Sequence, residues 1–99
     1  MKTKQIPKFE ELEKITLGQE VIIKDEGIMK FAGVINSSDS ETGDSWTNPV
    51  FLSKVSENDE IKYKEIEILT KCNGAIYKNM INTSSKNYDY VKKIWENLN

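Results

Sequence analysis

The sequence predicts a mainly β (α+β) domain: a five-stranded antiparallel meander curled into a small barrel, a short helix before it and an amphipathic helix after it. Three observations carry this expectation. Between residues 20 and 81, apolar residues alternate with polar ones in short runs, the period of a half-buried strand. Turn signals separate the runs, the sharpest being Asn73-Gly74, two residues that both tolerate positive φ. Helical spacing of apolar residues occurs only at the two ends. With 99 residues and 37% hydrophobic content, the chain fits one domain, residues 1–99. That is long enough for a single core without metal or disulfide support.

The elements follow in chain order. "PKFEELEKI" opens with Pro7 and spaces Phe9, Leu12 and Ile15 helically, with glutamates early. Proline and acidic residues suit a first turn, so one or two helical turns are expected over residues 8–14. In "EVIIKDEGIMKFAGVINS", Val21 and Ile23 alternate with polar neighbours, and Asp25-Glu26-Gly27 closes a hairpin. The second strand is apolar on both sides. Met29, Phe31 and Ile35 share one side, with Ile28, Ala32 and Val34 on the other, and Gly33 marks a bend. A long polar loop, "SSDSETGDSWTNPVF", follows.

After it come "PVFLSKV", the turn "SENDE" and "IKYKEIEIL". A five-residue loop, Ser56 to Glu60, places Val55 opposite Ile61 and Phe51 opposite Glu65, gathering apolar residues on one face. The alternation then changes phase, from Ile61 and Tyr63 to Ile66 and Ile68, which predicts a bulge near Lys64-Glu65 and a barrel corner. Pairing outward from Asn73-Gly74 sets Cys72, Thr70, Ile68 and Ile66 against Ala75, Tyr77, Asn79 and Ile81. Finally, Ser84 or Ser85 can cap a helix whose stripe is Val91, Ile94, Trp95 and Leu98, with Tyr88 a turn earlier. Its expected place is over one mouth of the sheet. The succession "GQEVIIKDEG", "FAGVI" and "KYKEIEIL" is similar, at the level of fold, to the SH3-like small barrels, which implies a closed sheet.

Composition excludes more functions than it suggests. There are 14 basic and 16 acidic residues, a net charge of -2, and no His, so the commonest acid–base catalyst at neutral pH is missing. Every basic residue is Lys, so the bidentate arginine fork used on phosphates and guanine edges is missing too. The Lys, Asn and Ile richness fits an AT-rich genome, such as that of a phage or mobile element. Cys72 is alone and lacks an activating His; as a small apolar residue before a tight turn it is expected to be structural. Asp39, Glu41 and Asp44 suggest a calcium loop, but the spacing puts Gly43 and Val50 where the EF-hand pattern needs oxygen ligands. No metal and no cofactor are therefore expected. The amino-terminal stretch lacks the apolar run of a secretory signal, and no stretch is apolar enough to span a membrane. The expected compartment is the cytoplasm.

Two function classes remain, and neither is an enzyme. The first is a non-catalytic protein-binding module or small inhibitor with an unidentified protein partner. Its site would be the polar loop, with Trp46 as an aromatic anchor and Phe51, Thr47 and Asp44 around it. The alternative is a nucleic-acid-binding barrel using lysines and aromatics. In the expected register Lys54 faces Lys62, and Lys64 shares their face. The acidic balance and the missing Arg disfavour it.

Overall fold

Five strands run as an antiparallel meander, each hydrogen-bonded to the next in sequence: β2 (Glu20–Ile23), β3 (Gly27–Ser38), β4 (Ser45–Glu57), β5 (Glu60–Leu69) and β6 (Ala75–Ile81). A two-residue strand, β1 (Lys4–Gln5), adds parallel to β2. Helix α1 (Tyr88–Asn97) ends the chain. The computed structural model describes residues 4–5 and 15–98; the helix expected over 8–14 lies outside them. Among the described residues no pairing joins β6 back to β1 or β2, so the sheet is open. The SH3-like barrel does not form.

The reason lies in β5. Its change of phase involves no bulge, since β5 pairs with β4 and β6 in unbroken register. Instead the strand is buried on opposite faces in its two halves. Ile66 and Ile68 join Val21, Ile23, Met29, Phe31 and Phe51 on the first face, where the Phe31 and Phe51 rings meet at 5.5 Å. Tyr63 joins Leu52, Ile81, Val91 and Leu98 on the second. Helix α1 lies across that second face rather than over a mouth, and Trp95 and Tyr88 pack on Tyr63 at 6.1 and 5.7 Å. A sheet buried on both sides needs no closure to shelter its core.

Both expected hairpin registers are corrected. The β4–β5 connection is a two-residue turn, Asn58-Asp59, with both residues left-handed (φ 51° and 62°), the conformation whose twist matches a tight hairpin. Val55 therefore pairs with Lys62 and Phe51 with Ile66. The longer loop keeps apolar residues on one face, but this sheet uses two. At the β5–β6 connection Asn73 and Gly74 do take positive φ (56° and 79°). However, Thr70–Cys72 leaves the ladder as a 3₁₀ turn, so Ile66 pairs with Lys78 and Ile68 with Ile76. Cys72 is consequently exposed, not a buried structural residue.

Gly33 (φ 108°) sits at a bulge where the β3–β4 register shifts between Phe31 and Gly33. The bulge carries Ile35 from the face of Met29 and Phe31 to the helix side. Beyond it the two strands run on to Ser38 and Ser45, so the long loop shrinks to residues 39–44. Asp39 and Asp44 close it: the Asp39 N–H donates to the Asp44 carbonyl at 2.9 Å and the Gly43 N–H to Asp39 at 2.8 Å. Helix α1 starts at Tyr88 without a side-chain cap. Ser84 and Ser85 serve the preceding turn instead, both donating hydroxyl hydrogen bonds to Asn82 Oδ1, at 2.7 and 3.2 Å.

Candidate functional site

The second face of the sheet is only partly covered. Strand alternation puts Trp46, Asn48, Val50, Leu52 and Lys54 of β4 on this side, and the registers add rows across it: Leu52–Glu65–Asn79 and Val50–Glu67–Tyr77. Helix α1 covers the Lys54–Tyr63–Ile81 end. Beyond the helix a groove of about 260 Å³ remains. Its sheet side is formed by Val34 and Ile35 of β3 and Val50 and Leu52 of β4; its helix side is formed by Tyr90 and Ile94. Ile35 and Tyr90 are 44% and 70% exposed. Single exposed apolar residues are ordinary, but two facing each other across one concavity mark a patch.

Glu65 also lines the groove. Burial, followed by the neighbouring charge of Glu67, pushes its carboxyl above the usual range. Among the described residues no ammonium lies within ion-pair distance of it. The lysine in its cross-sheet row, Lys30, holds its ammonium over the Trp95 ring at 4.7 Å.

Asn48 builds the far end of this face. It is 4% exposed, and both of its polar atoms are engaged. Its Nδ2 donates to Glu67 at 2.9 Å, and its Oδ1 accepts from the Thr70 N–H at 3.1 Å and the Thr70 hydroxyl at 3.0 Å. These bonds root the 3₁₀ turn against the sheet. Lys71 of that turn reaches over the Trp46 ring at 5.5 Å. No sequence pattern announced Asn48; a lone Asn before Pro reads as a turn residue.

Of the expected partner-binding residues, Trp46 is a strand residue opposite Ser37, half-buried and on the groove's face of the sheet. It sits near the tip of the β3–β4 hairpin because β4 begins one residue earlier. Thr47 and Asp44 are exposed near it. Phe51 is fully buried in the first-face core and contributes to no surface. The three lysines do not assemble into one row. Lys54 pairs with Tyr63 on the helix side, while Lys62 pairs with Val55 and Lys64 with Ser53 on the other.

Lys64 is engaged within the fold. Its ammonium lies 3.2 Å from the Glu26 carboxylate and donates to the Glu26 carbonyl at 3.0 Å; Lys78 reaches the same carboxylate at 3.4 Å. The β2–β3 turn is thereby clasped to β5 and β6 across the first face. Burial pushes the Glu26 carboxyl up, but the hydrogen bond from Lys64 and the charges of Lys78 and Lys64 outweigh it and hold it below 4.5.

The acidic loop holds itself together, the Glu41 N–H donating to Asp39 Oδ1 at 2.9 Å. No group of three or more metal-ligating side chains occurs among the described residues, nor is any helix among them long and apolar enough to cross a membrane. No protein-family model, curated protein or solved structure matches this chain.

Proposed function

We propose that the protein is a small non-catalytic binding module or inhibitor, working in the cytoplasm, that holds a segment of a partner protein in the groove between α1 and the outer half of the sheet. The observation that carries this is the pairing of exposed Ile35 and Tyr90 across one concavity floored by Val50 and Leu52. Burying that apolar area against a partner stabilises a complex by roughly 25 cal/mol per Å² before association costs. At about 260 Å³ the groove is smaller than the roughly 300–1,000 Å³ usual for small-molecule sites, which favours side chains of a peptide segment. Trp46 extends the surface along β4 as its outer margin, with exposed Asp44 in the adjoining loop and Thr47 on the strand's opposite face.

The test uses the whole chain as bait, with Ile35→Glu and Tyr90→Ala as variants at exposed positions. The expected result is a captured protein that both variants release and that slows hydrogen exchange in residues 32–35 and 87–94. Capture that both variants leave intact, with protection elsewhere, overturns the reading. So does salt-sensitive oligonucleotide binding that is lost when Lys54, Lys62 and Lys64 become Gln, which would favour nucleic acid.

A further inference from the structure

We propose that the partner's anchoring residue is a lysine or arginine, carried on an extended and otherwise apolar segment, with Glu65 as its counter-ion in the groove. This rests on the protein-binding reading and names the chemistry of the same site. Three features of the groove converge on a cation with a long apolar stem.

The first is the unmatched carboxylate. A charge removed from water without a partner is costly, and folded chains normally pair such groups. Glu26 meets that rule with two ammonium groups and Glu67 accepts from Asn48, but Glu65 has neither kind of partner among the described residues. Glu65 is half-buried, and its displacement toward the neutral form comes from burial followed by the Glu67 charge, with no cation to oppose them among the described residues. A guanidinium or ammonium arriving from outside would reverse it.

The second is the shape of the chemistry around it. The groove walls are the apolar residues Ile35, Val50, Leu52 and Ile94, with Glu65 among them. Lysine and arginine have the complementary layout, several methylenes ending in a charge. A neutral apolar side chain would leave Glu65 desolvated and unpaired, and an acidic one would face Glu65 and Glu67 together.

The third is aromatic flanking. Tyr90 lines the helix side of the groove, 70% exposed, and Tyr77, outside the lining, stands one row further along the same face opposite Glu67. Aromatic faces near a carboxylate add to cation binding, and this chain already uses the pairing twice, Lys30 on Trp95 and Lys71 on Trp46.

The experiment titrates the isotope-labelled protein with short extended peptides carrying Arg, Lys or citrulline between valine and isoleucine neighbours, followed by amide chemical shifts. Citrulline keeps the size and planarity of Arg and removes its charge. The expected result is that Arg and Lys peptides shift Ile35, Glu65, Tyr90 and Ile94, and that citrulline binds at least tenfold more weakly. Glu65→Gln is expected to abolish that preference. If Arg and citrulline peptides shift the groove with equal affinity, the cation proposal falls and the groove reading stands. If every peptide of the panel leaves the groove signals unmoved, or shifts residues elsewhere, both fall.

Discussion

Replacing Asn48 by Ala tests what holds the far end of the second face together. The substitution removes three hydrogen bonds at once: the one donated to the Glu67 carboxylate and the two accepted from the Thr70 N–H and hydroxyl. A bond to a charged group is worth about 1.5–3 kcal/mol and a neutral one about 1 kcal/mol. The sum, roughly 3.5–5 kcal/mol, is an upper bound, because the Thr70 hydroxyl, with one proton, can turn to the Thr47 carbonyl at 3.2 Å, and Glu67 and Thr70 are only half-buried and regain some water. A net loss of about 3 kcal/mol is expected. A domain of this length holds about 5–15 kcal/mol in total, so the variant still folds and its stability is measurable. In urea, with a slope of about 1–2 kcal/mol per M, the unfolding midpoint falls by about 1.5–3 M. Thr70→Val is the internal control. It removes the hydroxyl but keeps the backbone N–H bond, so it costs about 1 kcal/mol. If Asn48→Ala loses less than 1 kcal/mol, or no more than Thr70→Val, then the amide is not what roots the 3₁₀ turn and the reasoning fails.

Three further outcomes are expected. Gly18→Ala is severely destabilising, by about 3 kcal/mol or more, because Gly18 has φ +85° and an added Cβ would collide with the Leu98 backbone carbonyl; a thermal melt checks it. Acid titration of stability separates two carboxyls of opposite displacement. Glu26 is held low, so the stability it contributes is present above its unfolded-state pKa and is lost as pH falls through its lower folded value. Glu65 is displaced upward, so its cost is present above its folded pKa and is relieved as pH falls through it. Urea midpoints across acidic pH should therefore show Glu26→Gln removing part of the acid-side loss and Glu65→Gln removing a compensating gain. Cys72, exposed in the 3₁₀ turn, should label with a thiol reagent in the folded protein, and Cys72→Ser should change stability by less than about 0.5 kcal/mol.

The meander order and the terminal amphipathic helix were legible because each rests on a local period, alternation for the strands and the Val91, Ile94, Trp95, Leu98 stripe for the helix. Gly33 signals a bend or a close backbone approach, and the structure has a bulge there. What misled was the assumption of one buried face. Under it, the phase change between Tyr63 and Ile66 needs a bulge and suggests a barrel corner. The same residues satisfy an unbroken strand that is covered by α1 at one end and by Phe51 and Met29 at the other. Periodicity alone carries no information about which of two faces a residue serves.

The registers failed for a related reason, and the failure leads to the site. Asn58-Asp59 and Asn73-Gly74 both take the left-handed conformations of tight turns, yet only the first closes a two-residue hairpin. At the second, Asn48, remote in sequence, takes up the Thr70 N–H and hydroxyl, and a buried amide left without partners would cost more than the displaced ladder bonds. The resulting shift brings Asn79 opposite Glu65 and Tyr77 opposite Glu67; in the hairpin read from the turn alone, Glu65 and Glu67 point away from the core as a solvated charge ladder. It takes the long-range contacts of Asn48 and the packing of α1 to set Glu65 at the edge of an apolar groove with no ammonium paired to it among the described residues. A charged residue whose significance lies in the absence of a partner cannot be recognised from its neighbours in sequence, because that absence exists only after the chain has folded around it.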